Sequence, residues 1–137
     1  MIALPEGADR NLAIGWATVE LDRAARELSD LIAAGAGFGV AAPSVLLGAR
    51  CLVGPAAHRP ELRIVLLEPD TEGRLAATLA RSGEGWAASW VLDHGAGVRP
   101  RRASVARPGP LGTERLLLGG PLAGPYRFLV EAVPSPP

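Results

Sequence analysis

The side chains able to do chemistry in this chain of 137 residues are few and scattered. There are two histidines and one cysteine, and every one of the 14 basic residues is an arginine. Without lysine, Schiff-base and pyridoxal chemistry is excluded. His94 follows Asp93 in "LDHG". An Asp–His pair can orient an imidazole as a base, but neighbours on one strand point opposite ways. His58, in the turn "PAAHRPE", is expected in solvent. Glu68 precedes Pro69 at a strand end. It is a candidate acid or base, and equally a surface or capping carboxylate. Cys51 has no basic neighbour on its strand face, so an inert buried thiol is expected. Ser89 in "AASW" lacks the G-x-S-x-G turn of a hydrolase nucleophile. Glu84 in "GEG" and the basic run 99–102 ("RPRR") are expected to be turn residues.

The bulk numbers narrow the classes further. A chain of this length can bury roughly 65–70% of its unfolded surface in one core. A single cysteine excludes an intrachain disulfide. The start "MIALPEGADRN" is no signal peptide, and no apolar run reaches the length of a membrane span. A cytoplasmic protein with no membrane partner is therefore expected. The formal net charge of zero argues against nucleic acid, whose binders carry a basic excess. With 17 glycines and 13 prolines, the chain must contain many turns and short strands.

The elements that position these side chains follow from periodicity. Residues 11–21 read as a strand buried on both faces, and 21–35 as an amphipathic helix stopped by Gly35. The glycine-rich stretch 35–43 follows a helix and leads to a strand, the wrong order for a phosphate loop, and reads as a connection. Strands are expected over 44–54, with Gly48 as a bulge, and over 62–69. A short helix spans 70–83, capped by Asp70 or Thr71, with Leu75, Ala76, Leu79 and Ala80 facing the core and Gly83 ending it. Strands follow at 86–93, 113–120 and 126–133, with an extended piece at 103–112. Few helices among non-local strands define an α+β protein with a curved mixed sheet.

Three strings in this order resemble the vicinal oxygen chelate superfamily, which includes glyoxalase I, methylmalonyl-CoA epimerase, extradiol dioxygenases and bleomycin-resistance proteins. They are "AIGWATVELDRAAREL" (13–28), "LLEPDTEGRLAATLARSGEGWAASW" (66–90) and "RPGPLGTERLLLGGPLAGPYRFLVE" (107–131). The resemblance implies paired βαβββ modules forming a curved mixed sheet with a cleft. One glyoxalase-like domain would span 1–137, with the first module about 11–69 and the second about 70–133. Only a turn's length is left for the second-module helix in "DHGAGVRP". That half would lack most of its helix, and a homodimer partner could cover it.

The metal ligands that the resemblance implies are missing. The four matching positions are Ala13, Val65, Ala88 (or its neighbour Ala87) and Phe128. Alanine, valine and phenylalanine offer no donor atom, so no metal and no other cofactor is expected. Strand alternation extends these positions to one face. Ala13, Gly15, Ala17 and Ala88 would make a floor of small residues, and Trp86, Trp90, Tyr126 and Phe128 aromatic walls. Arg63 would read an anionic group at the rim. The expected function is metal-independent binding of a small hydrophobic or aromatic molecule, as in sequestration or resistance. The alternative is a metal-free cyclase or isomerase of secondary metabolism, with His94 or Glu68 as its acid or base.

Overall fold

The computed structural model describes residues 2–93, 103–118 and 126–131. Eight strands form one sheet: β1 (Ala13–Ala17), β2 (Gly39–Ser44), β3 (Ala49–Ala56), β4 (Arg59–Pro69), β5 (Gly85–Asp93), β6 (Arg107–Gly109), β7 (Gly112–Leu116) and β8 (Tyr126–Glu131). Two α-helices accompany them, α1 (Leu21–Glu27) and α2 (Arg74–Ser82). The spatial order β2-β3-β4-β1-β5-β8-β7-β6 reads as the same unit twice, joined where β1 meets β5 antiparallel. In each unit the first strand runs parallel to the last, β1 beside β4 and β5 beside β8. The expected α+β architecture of paired modules on a curved mixed sheet is present. The segment where the second-module helix would lie, 94–102, is outside the described residues, and so is His94.

The curl brings the two edges together, because Val45, just after β2, donates its N–H to the Pro108 carbonyl of β6 at 3.2 Å. Two cores result. On the outer face α1 buries Ala24 and Leu28 against Ile14, Ile64 and Leu66. Full burial of a leucine contributes roughly 1.5–3 kcal/mol. The inner face packs Ala13, Val65, Leu67, Ala88, Trp90, Phe128 and Val130 together, with Leu47 and Leu75 closing over them.

Several local expectations are corrected. The helix expected over 21–35 ends at Glu27 and continues as a 3₁₀ turn, Ser29–Leu31. Ser29 and Asp30 are weak helix formers, and Ile32 leaves the helix to bridge Ala56. The stretch read as a connection contains β2, an edge strand whose Gly39 and Val40 are exposed, so it carries no burial pattern. Gly48 is no bulge. It closes the β2–β3 turn at φ +66°, where a side chain would also meet Thr71 Oγ1. The N-cap of α2 is Gly73, without a side-chain hydrogen bond, so neither Asp70 nor Thr71 caps it, and Ala80 is exposed. Gly83 ends this helix in the left-handed region, as expected.

Gly15 is the tightest point of the inner core. A Cβ there would stand 2.9 Å from both Leu67 and the Trp90 ring. Gly15→Ala is expected to destabilise the fold by about 1–3 kcal/mol through overpacking, read from urea unfolding midpoints. An unchanged midpoint would show slack that the structure does not contain.

Candidate functional site

Ala13, Val65, Ala88 and Phe128 share one buried cluster on the inner face. Gly15 of β1 is in register with Val65 on one side and Ala88 on the other. Ala13 is opposite Trp90, and Trp90 opposite Phe128. Ala13, Val65 and Phe128 are fully buried and Ala88 nearly so. Among the described residues, no three His, Cys, Asp or Glu side chains gather as a metal site would require.

The receptacle expected over this floor is filled from within. Trp90 and Phe128 are both fully buried and lie nearly parallel, 5.2 Å apart, with the Trp90 ring directly over Gly15. Their stacking leaves no space between the two rings. Trp86 is on the other face altogether. Opposite β5 the pairing shifts between Gly15 and Trp16, so Ala88 faces Gly15 while Trp86 faces Trp16. Ala87 is the extra residue, and one extra residue resets the inside–outside alternation. Trp86 therefore packs edge-on against Trp16, with centroids 5.1 Å apart, and donates its indole N–H to the Ala3 carbonyl at 2.9 Å. Arg63 is exposed on β4, opposite Ala13.

Tyr126 stands where β8 begins. Its hydroxyl meets Thr78 Oγ1 at 2.8 Å and the Arg74 carbonyl at 3.1 Å, which ties α2 to the sheet. Beside this junction lies an open cavity of about 920 Å³. Of the expected ligand contacts, Trp86, Ala88, Tyr126 and Phe128 line it, and Ala13, Val65, Trp90 and Arg63 do not. Its polar lining includes Ser89, Arg81 and Arg127. Both arginines are exposed, and among the described residues neither forms an ion pair.

Glu84 borders the same cavity but is already engaged. Desolvation pushes its carboxyl upward, yet the Thr18 hydroxyl at 2.9 Å and the Arg23 guanidinium outweigh that and hold it below the usual range. Glu68 is also committed. It accepts the Leu21 N–H at the start of α1 at 3.2 Å and pairs with Arg50. An anion at that helix end offsets the unpaired N–H groups. Burial pushes the Cys51 thiol up to about 12, the inert state expected.

The sequence reading missed Glu114. It is fully buried on the inner face, where Trp90 Nε1 donates to Oε1 at 3.0 Å and Ser44 Oγ to Oε2 at 2.8 Å. Desolvation raises its pKa against the lowering by these two donors. The available signal was parity, because Glu114 and Leu116 alternate with exposed Thr113 and half-buried Arg115.

The geometry is that of the vicinal oxygen chelate fold, as the sequence motifs implied. The methylmalonyl-CoA epimerase of Mycobacterium tuberculosis superposes with a TM-score of 0.68 at 23% identity, over 96% of this chain and 94% of that one. The Streptomyces coelicolor methylmalonyl-CoA epimerase, solved as a variant with 2-nitronate-propionyl-CoA, gives 0.68 at 22% identity, over 91% and 95%. A hypothetical protein of Bacillus halodurans C-125 gives 0.65 at 17% identity, over 93% and 96%. At these identities the likeness is one of fold. No protein-family model and no curated protein matches the chain. No helix among the described residues is long and apolar enough to cross a membrane.

With only apolar side chains at the four matching positions, purified protein is expected to carry far less than one equivalent of divalent metal by elemental analysis. Added zinc, cobalt or magnesium is expected to leave the thermal midpoint unmoved. A tightly held equivalent that raises the midpoint would contradict the assignment of these four positions.

Proposed function

We propose that the protein is a metal-independent binder of a small molecule with a flat apolar body and an anionic group. The observation that carries this reading is the cavity beside α2. There Trp86 and Tyr126 offer aromatic surface, while Arg81 and Arg127 stand free of carboxylate partners among the described residues. Its volume of about 920 Å³ is in the range that encloses small ligands. An aromatic contact adds roughly 0.5–1.5 kcal/mol beyond area burial, and an arginine–carboxylate pair adds direction as well as energy. Solved epimerases of this fold hold acyl-CoA compounds, 2-nitronate-propionyl-CoA in one and methylmalonyl-CoA in another. Those complexes support small-molecule binding by the fold. The acid–base alternative has less behind it, since Glu68 is tied to the start of α1 and to Arg50.

The test is tryptophan fluorescence with 2-naphthoate and its neutral amide, 2-naphthamide. Saturable quenching by the acid is expected, unaffected by chelator and weaker for the amide. Arg81→Ala and Arg127→Ala are each expected to weaken binding of the acid by about ten- to hundredfold, the effect of losing one charged hydrogen bond. Equal affinity for acid and amide, or arginine variants that bind like the parent, would remove this reading. Recovery of the ligand unchanged after incubation separates binding from turnover.

A further inference from the structure

The inner face is enclosed only because two sheet edges meet, and the seam between them is thin. Among the described residues its hydrogen bonds are the Val45 N–H to the Pro108 carbonyl and the Ser44 hydroxyl to Glu114 Oε2, beside apolar packing of Leu47 and Leu116 in the inner core. Ser44 and Glu114 are both fully buried there. Ser44 Oγ also accepts the Leu47 N–H at 3.3 Å, so it ties the turn after β2 into the same contact. On the far side of the carboxyl, the Gly109 backbone of β6 presses directly on it, since a Cβ at Gly109 would lie 2.0 Å from Oε1. One carboxyl thus touches β2, β5 and β6, and its own strand joins β8.

No cation accompanies it among the described residues. The titratable and charged groups on the surrounding elements are few. The Cys51 thiol of β3 lies near enough that the carboxyl's charge contributes to keeping it protonated. Arg107 of β6 is opposite Glu114 in register but exposed. Glu131 of β8 is turned outward to Arg115. A buried carboxyl without a countercharge is an expensive way to hold a core that an apolar side chain could fill. The piece it holds is small. β6 has three residues and pairs with β7 at three positions.

We propose that Glu114 is a proton-operated latch: with its carboxyl neutral the seam is shut, and with charge forced on it the β6–β7 hairpin parts from β2 and exposes the Trp90–Phe128 stack. The direction follows from linkage. The closed state favours the neutral carboxyl, so closure is fully stabilised below the ordinary carboxyl value of 4.5 and loses that stabilisation as pH rises through the raised value. The neutral acid also fits the contacts, because Ser44 Oγ can accept a proton as readily as donate one.

Cys51 supplies a built-in probe. It is the chain's one cysteine, it sits on the inner face, and it is 3% exposed. Its rate of reaction with Ellman's reagent is measured from pH 5 to 9 in the parent and in Glu114→Gln, which keeps the side chain's size and hydrogen bonds but cannot ionise. Cys51 reacts from the opened state, where its thiol is in solvent in both proteins and ionises alike, so the ratio of the rates reports the latch. The parent-to-variant ratio is expected near one at pH 5 and to climb by up to about tenfold per pH unit before levelling. A ratio constant across the range overturns the proposal. Should Glu114→Gln fail to fold, Ser44→Ala removes the β2 side of the latch. It is expected to speed labelling at every pH while unfolding stays cooperative, and parental rates in it overturn the proposal. So does parental labelling that follows urea with the full slope of global unfolding, because then no local opening precedes it.

Discussion

Everything on the inner face depends on the volume of one indole. Trp90 lies flat against Phe128, over the bare backbone of Gly15, and points its N–H at Glu114. Protein interiors are packed to crystal density, so a ring of that size dictates what surrounds it. Gly15 can carry no side chain. Ala13, directly across from Trp90, and Ala88, across from Gly15, are small for the same reason. The inner face is held at Ala13, Val65, Ala88 and Phe128 by close packing of apolar groups.

The candidate site lies beside that packing. Open space lies beside α2, bordered by Tyr126 where β8 begins and by Trp86, Ala88 and Ser89 of β5. The Tyr126 hydroxyl fixes the geometry of that corner by binding Thr78 and the Arg74 carbonyl together. Trp86 reaches it from the outer face because Ala87 adds a residue to the ladder. Arg81 and Arg127, without carboxylate partners among the described residues, share that corner with Glu6 and with Glu84, which Arg23 already pairs.

Much of this was legible in advance. Residue types placed β1, β4, β5 and β8, helical spacing placed the start of α1 and the end of α2, and three motifs in order implied the fold. The losses have particular causes. β2 is an exposed edge of glycine, alanine and proline, with no buried face to produce a period. Trp86 was assigned inward by counting twos, and a bulge that pairing alone reveals turned it outward. Glu114 was passed over because a carboxylate on a strand is ordinarily a solvent residue. Only the curl of the sheet, which brings Ser44 to it from the far edge, makes it an interior one.

The sequence by itself determined the alternation of strands and helices, the fold they imply, and the lack of donor atoms at four inward points. Those are local properties, carried by residue type and spacing. Tertiary structure alone decided whether the inward points enclose space or matter, which face a tryptophan takes after a bulge, and where an isolated carboxyl ends up. Each of these depends on contacts between residues far apart in the chain, as with Ser44 and Glu114, and no local pattern encodes that distance.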